Sequence, residues 1–255
     1  MSTSSDAGRK RKKSLGQCFL EDRNTLALEA RLARCDGKVV LEIGAGDGRL
    51  TAAVLAERPK RLIAVEKDGG FAAVLRERFS GRGDVEIIEA DFLQTEPQKV
   101  DIVIGNIPYY ISSDIVFRLR DYGFSRAVLM VQKEFAQKMA ASPGDGNFGR
   151  LSVTSQIAFR ISYERTVLRH LFRPVPKVDS AIITLEPTGK RLTPFEENII
   201  RWIFQHKNQT VRNSLLHSKM FTDADIGRLG DLQKRRGRTL AKDECLEIAR
   251  LLENV

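Results

Sequence analysis

The segment Lys38–Gly48 reads KVVLEIGAGDG, an apolar run leading into glycines at every second position. Lys38–Ile43 is a near-continuous Val/Leu/Ile stretch, the pattern of a strand buried on both faces. Gly44, Gly46 and Gly48 let the backbone turn tightly and let a ligand approach it closely. A helical stretch, residues 49–57, follows at once. Strand, glycine turn and helix in that order form the opening unit of a doubly wound α/β sheet, whose ligands bind at the carboxyl ends of the strands. The spacing is GxGxG, whereas dinucleotide fingerprints read GxGxxG.

The same alternation continues outward. Residues 61–66, 85–90, 100–105, 127–132 and 181–186 read as further buried strands. Residues 70–79 and 113–120 read as crossover helices, the latter with Ser113 or Asp114 as its cap. Residues 142–148 (SPGDGNF) form a loop dense in Gly, Pro and Asp. Beyond Thr188 and Gly189 the periodicity turns helical, over 195–204, 211–216, 223–229 and 242–252. This predicts an α/β domain over 1–187 and a small helical domain over 188–255, with residues 1–13 a basic arm.

Composition narrows the function classes. Apolar residues make up 42% of the 255, enough for a packed core. No apolar run is long enough to span a bilayer, and the polar, basic start is not a secretory signal. Cys18, Cys35 and Cys245 are scattered, which suits a reducing cytoplasm and gives no zinc pattern. His206 and His217 are eleven residues apart, about three helical turns and too far for one metal. The net charge is +9, and it is concentrated at the ends: residues 1–13 and 188–255 carry +4 each, leaving the middle nearly neutral. A neutral catalytic body flanked by phosphate-gripping extensions fits this, as do solubilising tails.

Four positions at strand ends carry the chemistry. The glycine turn is the first. Glu66, 22 residues past Gly44, ends the second strand, where a carboxylate accepts ribose hydroxyls; this suits NAD and S-adenosylmethionine alike. Asp91, after the third strand, is either an acceptor for an exocyclic amine or a helix cap. Asn106-Ile107-Pro108-Tyr109 follows the fourth strand and decides the reading. An adenine amino group is a poor nucleophile because its lone pair is delocalised into the ring. The Asn106 side-chain oxygen and the backbone carbonyl linked to Pro108 are two acceptors that would hold both N6 hydrogens and aim the lone pair at a methyl donor. That work is positioning and electrostatics. Tyr109 offers a face to a flipped-out base. Phe172, before a loop stiffened by Pro174 and Pro176, offers a second face, although a Phe in such a place is commonly core packing.

Together these motifs resemble the rRNA adenine N6,N6-dimethyltransferase family, over nearly the whole chain. Residues 15–20 (LGQCFL) look like the family's GQxFL motif, which closes over the cofactor. The resemblance implies that Gln17, Cys18 and Leu20 line an S-adenosylmethionine site with Gly44, Gly46, Glu66, Asp91 and Asn106. It also implies that Asn106, Pro108, Tyr109 and Phe172 form the catalytic site. Family members usually carry Asn or His where Cys18 stands, so a backbone contact is expected there. The resemblance further implies a cytoplasmic, metal-free monomer. This enzyme would dimethylate two adjacent adenosines near the 3′ end of small-subunit rRNA, as RNA or as the pre-assembled subunit, with the helical residues from Thr193 onward facing the RNA. The rivals are a macrolide-resistance-type large-subunit rRNA methyltransferase, an adenine DNA methyltransferase, a ribosome-assembly binding factor and an NAD-linked dehydrogenase. The dehydrogenase is disfavoured by the glycine spacing and by the lack of a proton donor near the fourth strand.

Overall fold

The computed structural model describes residues 18–253. Gln17 and the basic arm of residues 1–13 lie outside the described residues. In chain order the elements are β1 (Phe19–Leu20), α1 (Arg23–Ala33), β2 (Val39–Ile43), α2 (Arg49–Ala56), β3 (Arg61–Glu66), α3 (Gly69–Arg78) and β4 (Val85–Glu89). Then come β5 (Ile102–Asn106), α4 (Ser112–Arg118), β6 (Arg126–Gln132), α5 (Lys133–Ala140), α6 (Arg150–Ala158) and β7 (Phe159–Val167). The last are β8 (Phe172–Arg173), β9 (Ser180–Pro187), α7 (Pro194–Gln205), α8 (Val211–His217), α9 (Asp223–Gly227) and α10 (Lys242–Leu252).

Seven strands form one sheet in the order β4-β3-β2-β5-β6-β9-β7. β2 pairs in parallel with both β3 and β5, so the chain's winding direction reverses between β2 and β5. A crevice opens outside the strand ends at such a switch point. Sequence neighbours of this crevice are distant in the chain, yet Glu42 lies opposite Ile104 in register. Hence the Gly44–Gly48 turn and Asn106 emerge side by side.

Two sequence readings need correction. β4 is an edge strand of half-buried residues ending in exposed Glu89, not a strand covered on both faces. β9 runs antiparallel between β6 and β7, so the sheet is mixed; β7, with its alternating FRISYERTV, supplies the other edge. Its alternation of Arg160, Ser162 and Glu164 with apolar residues is what an edge tolerates. Apolar residues from β2, β3, β5, β6 and β9 feed two cores, one on each sheet face.

A third core unites α7, α8 and α10 with Ala141, Phe148, Val153 and Ile157. The helical cluster is thus seated on α6 and on the 142–148 loop. α7 starts as its sequence dictates. Thr193 Oγ1 accepts the Glu196 N–H at 3.2 Å, the Glu196 carboxylate accepts the Thr193 N–H at 2.7 Å, and Pro194 occupies the first turn. Among the described residues, no helix is long and apolar enough to cross a membrane.

Candidate active site

The glycine turn owes its shape to backbone conformations that favour glycine. Gly44, Gly46 and Gly48 have φ of 70°, 55° and 78°. The Gly44 N–H donates to the Val65 carbonyl at 2.8 Å, tying the turn to β3. Among the described residues, a side chain on Gly44 would meet no atom within 4 Å, so these leave open space above it. A methyl on Gly46, by contrast, would sit 3.0 Å from the Phe19 ring.

Glu66 is buried at 2% exposure. Its Oε2 accepts the Gly46 N–H and its Oε1 the Asp68 N–H, each at 2.8 Å. The residue read as a ribose acceptor therefore also fastens the glycine turn to the end of β3. Asp91 does what its alternative reading expects. Its Oδ1 accepts the Leu93 N–H at 3.1 Å, capping a short 3₁₀ turn, while Oδ2 meets Lys67 Nζ at 2.7 Å. These two bonds hold the Asp91 carboxyl below the usual carboxylate range, the Lys67 ammonium foremost.

The segment bearing Cys18 and Leu20 lies across this turn. Phe19 and Leu20 pair with Arg173 and Phe172 as a two-stranded ribbon, and the Glu21 N–H donates to the Leu171 carbonyl at 2.9 Å. Arg49, at the start of α2, donates to the Leu20 carbonyl at 3.2 Å. Phe19 packs edge-on against Phe71 with centroids 5.4 Å apart. Cys18 is half-buried; burial raises its thiol pKa, so the thiol stays protonated at neutral pH.

At the hook, Asn106, Pro108 and Tyr109 are half-buried and Tyr110 is 74% exposed. The Ile107 N–H donates to the Met130 carbonyl at 2.9 Å, continuing the β5–β6 ladder past Asn106. The Asn106 Oδ1 is buried and has no hydrogen-bond partner among the described residues. Such an orphan acceptor costs about 1–3 kcal/mol, so it marks a place where a donor is wanted. The Pro108 carbonyl is engaged by the Ile111 N–H and the Ser112 hydroxyl, both at 3.2 Å. Helix α4 accordingly begins at Ser112 without a side-chain cap. Neither Ser113 nor Asp114 caps it, because a 3₁₀ turn over Tyr109–Ile111 feeds directly into it. The Tyr109 hydroxyl shares a 2.7 Å hydrogen bond with Ser180 Oγ at the start of β9. Phe172 is 4% exposed and packs in a sheet-face core with Leu20 and Val167. Among the aromatics of the hook, the open ring face belongs to Tyr110. Its signal was the doubled Tyr after Pro108, which periodicity does not rank.

Two buried acids lie under the hook and the turn. Glu42 is fully enclosed in the structure, and burial, offset by Thr51 and reinforced by Glu66, pushes its carboxyl to about 8. Glu29 of α1 is likewise fully enclosed, with the Asn106 amide beside it and Glu42 near enough to raise its pKa further. No motif pointed to Glu29, because it stands in a helix that periodicity alone does not separate from its flanks.

His206 and His217 lie with ring centroids 5.3 Å apart. The separation in sequence does not keep them apart, because α7 ends at Gln205 and the chain reverses into α8. Among the described residues, no cluster of three or more His, Cys, Asp or Glu side chains is placed to hold a metal ion.

A glycine turn, a buried acid tying it down and an unpartnered Asn–x–Pro–Tyr acceptor stand at the carboxyl ends of the neighbouring strands β3, β2 and β5. Residues 8–252 match the model of the family described as ribosomal RNA adenine dimethylase. The chain belongs to the ribosomal RNA adenine dimethylases. A relative from Thermococcus onnurineus, described as a probable ribosomal RNA small subunit methyltransferase A, is 42% identical over 80% of this chain and 75% of its own. A Geobacter sulfurreducens ribosomal RNA small subunit methyltransferase A is 37% identical over 95% of each chain. A solved dimethyladenosine transferase from Plasmodium falciparum superposes with a TM-score of 0.81 at 29% identity, covering 90% of this chain and 95% of that one. The solved 23S rRNA methyltransferase ErmE gives 0.70 at 31% identity, covering 92% and 99%. The dehydrogenase reading is therefore set aside: this dimethylase is a methyltransferase of the class I fold.

Proposed function

We propose that this dimethylase transfers methyl groups from S-adenosylmethionine to N6 of two adjacent adenosines near the 3′ end of small-subunit rRNA. The observation that carries the reading is the orphan Asn106 Oδ1 at the switch point, beside an open-faced glycine turn. The small-subunit substrate is favoured over the large-subunit one by the curated relatives, described as small-subunit methyltransferases at 36–42% identity.

The residues present fit the cofactor. The space above Gly44 admits a ligand against the backbone, and Glu66, whose oxygens each accept one backbone N–H, retains acceptor capacity for ribose hydroxyls. Gly46, Cys18, Leu20 and Asp91 are assigned to the same site: Phe19, between Cys18 and Leu20, packs over Gly46, and Asp91 follows β4, the strand paired with β3. Gln17, outside the described residues, is assigned by the family motif. When bound, the cofactor supplies an electrophilic methyl on a cationic sulfur. The chain's part is to bind and orient the adenine. Asn106 Oδ1 accepts one N6 hydrogen. With the Pro108 carbonyl already taking two donors, the carbonyl bonded to the Pro108 nitrogen, that of Ile107, is the second acceptor. Two acceptors favour a pyramidal nitrogen with its lone pair directed across the crevice. Tyr109, braced by Ser180, and the exposed Tyr110 offer stacking faces. Phe172 supports the ribbon over the turn, and its stacking on a base requires it to leave the core. No side chain is assigned as general base; the proton leaves to water after transfer.

The helical residues 188–253 are proposed to face RNA, in a monomer acting in the cytoplasm. The test presents purified small subunits, large subunits and duplex DNA to the protein with labelled S-adenosylmethionine. Label confined to small subunits, mass-mapped to two dimethyladenosines, is expected; label on large subunits or DNA alone overturns the reading.

A further inference from the structure

Glu29 lies on α1, outside every motif of the site, and is 0% exposed. Neither carboxyl oxygen has a hydrogen-bond partner of good geometry. Burial holds the group well above the ordinary carboxylate range; the Asn106 amide beside it draws it partway back and Glu42 raises it again. The buried carboxyl therefore sits beside an amide whose own oxygen has no partner among the described residues. An apolar residue would pack here without stranding two buried polar oxygens, each costing about 1–3 kcal/mol. Polar groups kept at such expense cluster at functional centres.

The chemistry of Asn106 explains what such a group is for. An asparagine amide presents a donor at one end and an acceptor at the other, in nearly the same shape. Turned by half a rotation, it would face the N6 amine with N–H groups and repel it. Backbone pairing of Asn106 with Met130 fixes its Cα but not that rotation. A carboxyl keeps an oxygen able to accept an N–H whether or not it is ionised. We propose that Glu29 is a positioning residue: when the target amine engages Asn106 Oδ1, the Glu29 carboxyl beside it takes the Asn106 Nδ2 hydrogen as acceptor and so keeps that oxygen turned toward the amine. The inference rests on the role given to Asn106 above and adds a helix-borne residue to the machinery.

The test uses the full chain with small subunits as methyl acceptor. Its variants are Glu29→Met, Glu29→Gln, Asn106→Ala and the Met/Ala double variant. S-adenosylhomocysteine binding is followed by calorimetry, and thermal unfolding is measured without ligand. Glu29→Met is expected to bind S-adenosylhomocysteine as wild type does and to melt no lower. Its kcat should fall by about tenfold or more with KM for subunits unchanged. Glu29→Gln keeps an acceptor and should stay within about threefold of wild type. In the Asn106→Ala background, Glu29→Met should lower kcat no further, because the amide it orients is gone. A purely structural Glu29 would instead multiply the two losses. Wild-type kcat in Glu29→Met, or that multiplication, overturns the proposal. Full activity of Asn106→Ala would overturn the assigned role of Asn106 itself, a separate outcome. If Glu29→Met does not fold, Glu29→Asp, one methylene shorter, takes its place under the same criteria.

Discussion

The crevice at the β2/β5 switch point and the basic C-terminal helices use their polar side chains in opposite ways. Near the switch point, Asn106 Oδ1 and the carboxyl oxygens of Glu29 and Glu42 are buried without hydrogen-bond partners among the described residues. In the helical cluster the basic residues are largely engaged. Lys234 meets Asp231 at 2.8 Å, Arg235 meets Glu244 at 2.8 Å, Arg236 donates to the Asn208 carbonyl at 2.6 Å, and Lys207 donates to the Phe148 carbonyl at 2.9 Å. Part of the basic run Lys234–Arg238, within the extension that reads as phosphate-gripping, thus holds the cluster together. Unmet polar groups inside the fold point to a site more sharply than charges on its surface, because burial without a partner is costly whereas surface charge is cheap.

The largest effect that would break this contrast is at Asn106. Asn106→Ala should lower kcat for methyl transfer to small subunits by about a hundredfold, judged from the loss of one preorganised acceptor, and leave S-adenosylhomocysteine affinity nearly unchanged. Equal loss of affinity and turnover would mean that the orphan oxygen serves the cofactor instead.

Glu42 gives the next effect, in stability against pH. Its folded-state pKa of about 8 stands above the ordinary 4.5. Between those values the folded chain keeps a proton that the unfolded chain releases. The neutral acid's contribution is therefore complete below about pH 4.5, declines as pH rises, and is gone above about pH 8. Glu42→Gln should remove that decline, worth on the order of a few kcal/mol over the window. Urea unfolding at several pH values reads it directly. An unchanged slope would mean that Glu42 is charged in the fold.

The smallest effects separate structural from RNA-facing cations. Arg236→Ala should cost about 0.5–1.5 kcal/mol of stability, for one lost hydrogen bond. Arg238 lies on the same run with an exposed side chain, and Arg238→Ala should instead leave stability within about 0.5 kcal/mol of wild type and reduce the salt dependence of subunit binding by roughly one counterion. The two variants exchanging these phenotypes would invert the assignment.

What the sequence alone determined was local. Alternating apolar runs and glycines fix β2, the turn after it and the strand ends where Glu66, Asp91 and Asn106 stand, because burial on both faces demands uninterrupted Val, Ile and Leu. Thr193, Pro194 and Glu196 likewise announce the start of α7, since a capping box is satisfied within four residues. Tertiary structure decided the rest. The edge positions of β4 and β7, the antiparallel insertion of β9, the burial of Phe172 and the meeting of Glu29 with Asn106 depend on which elements pack together. The contact of Glu29 with Asn106 joins residues 77 positions apart, and no periodicity within either segment encodes it. A side chain's neighbours across a sheet are set by strand order and register, which emerge only when the whole sheet is assembled.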